Sequence, residues 1–161
     1  MIKEIIGLEG AENSGKSSVL RRLVSQLQKD GKVRLLKVFD YHQNELEGLP
    51  SAGDYIAFLR IHGKIIVVAT GGDLLGWVKL VIEVTLQVGF DVEVLIAAMR
   101  NSNPSVVERY LSWAKKNGVP IRYVFKPGFK RADDNTLSEK IRWAEGLWTA
   151  YLESMIESCC K

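Results

Sequence analysis

Gly10-Ala11-Glu12-Asn13-Ser14-Gly15-Lys16-Ser17 combines the residue types and spacing needed to hold a polyphosphate. Each fixed position of this G-x-x-x-x-G-K-[ST] pattern has a physical task. Gly10 and Gly15 let the backbone turn tightly and aim its N–H groups at phosphate oxygens. Lys16 reaches the β- and γ-phosphates, and the Ser17 hydroxyl is placed to ligate Mg²⁺. A helix beginning here adds the partial positive charge of its N-terminus. The sequence predicts contacts to bound ATP from Gly10, Ala11, Glu12, Asn13, Ser14, Gly15, Lys16, Ser17 and Ser18, with Mg²⁺ as the accompanying ion.

The flanks agree with that reading. Residues 2–9 form a short apolar run suited to a strand. After Lys16, the apolar residues Leu20, Leu23, Val24 and Leu27 recur at helical spacing. Strand, glycine-rich turn and helix therefore stand in the order that a phosphate-binding P-loop needs.

Other chemistry-bearing residues are expected where later strands end, because open α/β sheets bind ligands at the carboxyl ends of their strands. Asp40, after a strand over 33–39, is a candidate to orient an acceptor hydroxyl or take its proton; the alternative is a turn aspartate bonding its own backbone. Tyr41 and His42 beside it read more simply as loop residues. Thr70-Gly71-Gly72-Asp73 follows a buried strand over 65–69. Its paired glycines suit a close approach of backbone to a ligand, and Asp73 is a candidate for the Mg²⁺ shell or for a helix N-cap. Arg100 ends the next strand and could clamp a phosphate or fix the turn that follows. Lys126, Lys130 and Arg131 crowd a glycine-containing loop that reads either as a charge-supplying lid or as a solvated segment. Lys16, Asp40 and Arg100 thus form the expected catalytic set, with Ser17 and Asp73 toward the metal.

The elements that must position these residues alternate strand and helix. Strands are expected over 33–39, 65–69, 92–98 and 121–125 in addition to the first. Ser51 and Asp54 are spaced to cap a helix through Tyr55, Ile56, Phe58 and Leu59, with Gly63 as its stop. Further helices are predicted over 74–88, from Asn103-Pro104 to Gly118, and from Thr136 through Trp143, Leu147, Trp148, Leu152 and Ile156. Residues 41–53 and 126–135 read as loops. The expected fold is a single domain over 1–161: a three-layer α/β/α sandwich around a mainly parallel sheet of about five strands. The four tryptophans fall at helical positions, where packing is their default role. The helix over 74–88 is apolar nearly all round, so it must be covered by the domain or shared with a second copy through Trp77, Leu80 and Val84.

Composition sets outer bounds. Of 161 residues, 47% are hydrophobic and 25% charged, ordinary for a globular chain with a sizeable core. A net charge of +3 without basic runs neither demands nor excludes nucleic acid. No secretory leader or membrane-length apolar stretch is read, and adjacent Cys159 and Cys160 suit reduced thiols, which together predict a cytoplasmic protein.

Gly7-Leu8-Glu9-Gly10, running into Asn13-Ser14-Gly15-Lys16-Ser17-Ser18, resembles the opening of thymidylate kinase and related nucleoside and nucleotide kinases. The resemblance covers the first quarter of the chain. It implies a five-stranded parallel sheet, phosphoryl transfer from ATP with Mg²⁺, phosphate contacts from Gly15, Lys16, Ser17 and Ser18, and a substrate-side role for Asp40. Those kinases carry an Asp-Arg-Tyr/His motif after the third strand, where this chain has Thr70-Gly71-Gly72-Asp73, and their arginine-rich lid has no clear match here. The whole pattern is similar to small single-domain P-loop proteins of bacteria and phages.

Three functions compete on this reading: a small-molecule kinase, which is favoured, a regulatory or mechanochemical ATPase acting on a protein or nucleic acid, and a nucleotide-binding protein with little turnover. GTPase-type recognition is disfavoured, because no Asn-Lys-x-Asp run is present. An apolar-lined pocket between strand ends would favour the kinase; a flat site at a subunit interface would favour the ATPase.

Overall fold

The computed structural model describes residues 1–10, 16–72, 74–100, 104–125, 146 and 149–160. In chain order the elements are β1 (Ile5–Gly10), α1 (Lys16–Lys29), β2 (Arg34–Asp40), β3 (Glu45–Leu46), β4 (Tyr55–Ile61), β5 (Lys64–Ala69), α2 (Leu75–Gln87), β6 (Val92–Arg100), α3 (Pro104–Lys116) and β7 (Ile121–Phe125). Residues 149–159 are helical and are called α4. The strands form one seven-stranded sheet in the order β3-β2-β4-β5-β6-β1-β7.

The sheet is mixed, which corrects the expected mainly parallel sheet of about five strands. β1 pairs in parallel with β6 and β7, and β5 pairs in parallel with β6. The pairings β2–β3, β2–β4 and β4–β5 are antiparallel. The source of the change is residues 55–61, a strand rather than the expected capped helix. Ile61 pairs with Lys64, leaving only His62 and Gly63 between β4 and β5. Both have positive φ, 49° and 77°, as a two-residue type I′ hairpin requires. A connection that short can only join antiparallel strands. The two-residue β3 lies within the expected 41–53 loop.

Side chains alternate between two apolar layers, one on each sheet face. Ile6, Leu8, Ile66, Val68, Val94, Ile96 and Ala98 pack with Leu20, Leu23 and Leu27 of α1 and with Leu152 and Ile156 of α4. Ile5, Phe58, Val67, Leu95, Ala97 and Met99 pack with Val78 and Val81 of α2 and with Val106 and Tyr110 of α3. The three-layer arrangement is therefore present around the mixed sheet. The C-terminal helix is bound by charge as well. Lys32 Nζ lies 2.8 Å from Glu153 and 2.7 Å from Glu157, and Arg122 of β7 donates to Glu4 and, at 3.2 Å, to Cys159 Sγ.

Helix α2 is covered within the chain over much of its circumference. Val78, Val81, Ile82, Val84 and Thr85 are buried, Leu80 and Val88 are partly buried against the same core, and Trp77 is half-buried against the Tyr41 ring. Val84 is only 4% exposed and is therefore covered by the chain itself, while Trp77 and Leu80 are half-buried. Leu74, with extended backbone, takes the N-cap position of α2 without a side-chain bond. Asp73, the expected cap, lies outside the described residues, as do Ala11 to Gly15, the 126–135 loop and the expected cap of the last helix.

Candidate functional site

Gly10 closes β1 opposite Arg100, the last residue of β6, and Lys16 opens α1. The two ends of the glycine-rich motif thus bracket the carboxyl edge of the sheet, as its chemistry requires. Lys16 is only 5% exposed and Ser18 is half-buried. Ser17 reaches across to the end of β5: its hydroxyl donates to the Thr70 carbonyl at 2.7 Å. That bond uses the hydroxyl proton and leaves the oxygen lone pairs available to a cation, so the residue fits its expected place toward Mg²⁺.

Thr70 is completely buried and joins two strands to α1. Its N–H donates to the Tyr55 carbonyl, and its hydroxyl accepts from the Tyr55 N–H at 3.0 Å. The same hydroxyl donates to Asp54 Oδ1 at 3.0 Å. Asp54 Oδ1 also accepts from Arg21 Nη2 of α1 at 3.2 Å, in an ion pair whose carboxylate is 21% exposed. Asp54 Oδ2 has no partner among the described residues. A continuous path therefore runs from Ser17 through Thr70 to Asp54 and back to α1 at Arg21.

The two glycines that follow are spent on the chain's own packing. A Cβ on Gly72 would lie 1.8 Å from the Ala98 carbonyl oxygen, and Gly72 O accepts from Arg100 N–H at 3.2 Å. A Cβ on Gly71 would come within 3.1 Å of Tyr41, Trp77 and Asp54. The close approach expected of these glycines is to β6 and to two aromatic rings. Tyr41 brackets Gly71 from both sides: its hydroxyl donates to Gly71 O at 2.8 Å and accepts from Gly71 N–H at 2.9 Å.

Beside this path lies a cavity of about 370 Å³, lined by Asp40, Tyr41, His42, Leu46, Pro50, Ala52, Gly53, Asp54 and Trp77. The Tyr41 and Trp77 rings pack at 4.7 Å between centroids, tilted by 49°. Tyr55, the first residue of β4, is buried, and burial pushes its phenol up to about 12, so it stays protonated at neutral pH.

Asp40 lines the same cavity but its carboxylate is engaged locally. Oδ1 accepts from the N–H groups of His42 and Asn44, both at 2.9 Å, and Oδ2 accepts from Asn44 Nδ2 at 3.2 Å. These donors, the Asn44 N–H first, hold its pKa below the ordinary 3.8. Three strands separate β2 from β1. At about 4.8 Å per strand, β2 lies roughly 19 Å from β1 across the sheet and β4 roughly 14 Å.

Of the expected site residues, Lys16 and Ser17 open α1, with Ser17 bonded to the end of β5, and Arg100 ends β6 beside β1, while Asp40 stands apart on β2, with three strands between it and β1. Asp54 and Tyr41 carry the connections that sequence reasoning gave to others. Asp54 was readable only as a helix cap until His62-Gly63 was taken as a hairpin turn, which puts the residue before β4 at the ligand edge of the sheet. Among the described residues, no helix is long and apolar enough to cross a membrane, and no group of three or more His, Cys, Asp or Glu gathers into a metal cluster. No family model, curated protein or solved structure matches the chain.

Proposed function

We propose that the chain binds Mg-ATP where β1 meets α1 and transfers the γ-phosphoryl group to a small molecule held in the neighbouring cavity. The observation that carries this reading is the bonded path Ser17–Thr70–Asp54, in which one residue separates the phosphate-binding helix from an apolar-lined pocket. A pocket of that kind is what a small-molecule kinase needs and what a partner-driven ATPase does not.

Bound Mg-ATP would supply the phosphoryl group and the charge neutralisation of its metal. The chain's residues do the rest. Lys16 and the α1 N-terminus hold negative charge at the β1 edge. Ser17 presents its lone pairs because its hydroxyl proton is donated in a hydrogen bond to the Thr70 carbonyl. Arg100 stands opposite Gly10, in position for a phosphate oxygen. Asp54 Oδ2 accepts a hydrogen bond from the acceptor hydroxyl and receives its proton as the acceptor oxygen bonds to phosphorus and the bridge to the β-phosphate breaks. Asp54 replaces Asp40 in that role because Asp40 is a strand farther from β1 and its oxygens serve its own turn. Asp73 keeps its proposed place toward the metal. The test is ADP production from Mg-ATP across a panel of small hydroxyl compounds. Turnover that appears only with an acceptor, accompanied by a phosphorylated product, is the expected result; ADP formation indifferent to every acceptor would defeat it.

A second reading, a regulatory or mechanochemical ATPase, is favoured by one observation. The antiparallel β3-β2-β4-β5 half of the sheet departs from the parallel sheet that the kinase resemblance implies. Stimulation of ATP hydrolysis by a protein or nucleic acid, with no transfer to small molecules, would select it.

A further inference from the structure

The cavity's lining indicates which acceptor it takes. Its walls are mostly apolar: Leu46, Pro50, Ala52 and the packed rings of Tyr41 and Trp77. Its two acidic groups face a single basic side chain in the lining, the imidazole of His42. Asp40 and Asp54 contribute carboxylates, and among the described residues no Lys or Arg lines the space. Arg21 meets Asp54 from α1 and uses Oδ1 alone, so Oδ2 remains an acceptor. Asp40 is ionised at neutral pH, because its turn donors favour the charged form. Aromatic faces beside carboxylates attract an organic cation through the ring quadrupole and through charge. The same surroundings disfavour a phosphate- or carboxylate-bearing molecule, which meets two carboxylates and, among the described residues, no lysine or arginine in the lining. A volume of about 370 Å³ lies at the small end of ligand pockets and suits a compound of one or two rings.

We infer that this cavity binds a small ring compound bearing a protonated amine, so that the phosphoryl acceptor is a cyclic or aromatic amino alcohol rather than a nucleotide. The identification as acceptor rests on the kinase reading; the cation preference does not. Ring stacking on Trp77 and Tyr41 supplies most of the contact area, and Asp54 Oδ2 accepts from the ligand's polar end: the ammonium of a simple amine, or the hydroxyl of an amino alcohol whose ammonium then lies toward Asp40 and the ring faces. The Tyr41 hydroxyl is already committed to Gly71, so the rings select by shape and charge while Asp54 selects by hydrogen bonding.

The test uses the full chain without nucleotide and three probes of matched ring: phenethylamine, 2-phenylethanol and 3-phenylpropionate. Ligand-observed NMR titration is expected to show the amine binding at least roughly tenfold tighter than the alcohol, and the carboxylate weaker than both. Asp54→Asn should remove most of the amine's advantage. Ala52→Lys should weaken the amine more than Ala52→Gln, a change of similar bulk without charge, while the two variants affect the alcohol alike. Equal binding of all three probes, tighter binding of the carboxylate, or no binding of the amine would overturn the inference. ATP binding is titrated in parallel on the same samples. Amine selectivity without ATP binding removes the kinase reading and keeps the cation site; ATP binding without amine selectivity does the reverse.

Discussion

The Ser17 hydroxyl and the Thr70 carbonyl are 53 residues apart in the chain and 2.7 Å apart in space. Through that bond, the first turn of α1 is positioned by the end of β5. Ser17→Ala should therefore have two effects. ATP binding should lose most of its Mg²⁺ dependence, and Thr70 should lose a donor, at about 1 kcal/mol of stability. Calorimetric titration with and without Mg²⁺ measures the first and chemical denaturation the second.

On the proposed reading, Lys16→Ala removes a charge-assisted contact to phosphate. ATP affinity should fall by a factor corresponding to about 1.5–3 kcal/mol. Unchanged affinity in calorimetry would mean that nucleotide, if bound, sits elsewhere.

Gly72 and Gly76 should respond oppositely to alanine. At Gly72 the new carbon would strike the Ala98 carbonyl, which is backbone and cannot move aside. Gly72→Ala should cost about 3 kcal/mol or more, by overpacking. Gly76 lies inside α2 with nothing within 4 Å of its would-be Cβ. Gly76→Ala should stabilise by roughly 0.5–1 kcal/mol through helix propensity. Urea midpoints of the two variants decide this.

Tyr41→Phe keeps the ring packed on Trp77 and deletes the hydroxyl that serves both the N–H and the carbonyl of Gly71. Leaving those backbone groups without it should cost about 1–3 kcal/mol. A thermal shift equal to wild type would show that solvent replaces the phenol fully.

Asp40 makes stability depend on pH with a defined sign. Its folded pKa lies below the ordinary 3.8, so the folded state binds the proton less tightly than the unfolded chain. The stabilisation is complete above the unfolded value and is lost as pH falls through the folded one. Wild type and Asp40→Asn should differ by a constant amount near neutrality and converge below about pH 4. Melting temperatures across that range provide the check; divergence toward acid would reverse the sign.

Much of the frame was legible because its signals are local. The β1-then-α1 order, the buried runs of β5 and β6 and the helix start at Pro104 all follow from spacing within a few residues. Residues 55–61 were not legible for an equally local reason. Tyr55, Ile56, Phe58 and Leu59 fit one face of a helix, and Gly63 fits a helix stop. A helix stop and a type I′ turn both require positive φ, so the glycine marks either. What distinguishes them is partnership: β4 is buried between β2 and β5, which no window around residue 58 contains. The roles of Asp54 and Tyr41 were hidden with it, because both depend on where β4 lies. Asp40 illustrates the converse. Its alternative reading as a turn aspartate accounts for all its hydrogen bonds.

The position of β1 between β6 and β7 has a kinetic consequence. Ile5 pairs with Leu95 on one side and Ile121 on the other, so β1 is synthesised well before either of its neighbours, β6 and β7. The β4–β5 hairpin can form from contiguous chain, but β1 must wait through long loop closures that slow folding. During synthesis, Ile5, Ile6 and Leu8 remain an unpaired apolar segment that invites association with other chains. The carboxyl end of β1 is thus anchored late, and a ligand that needs it can act only on a chain that has already closed its sheet.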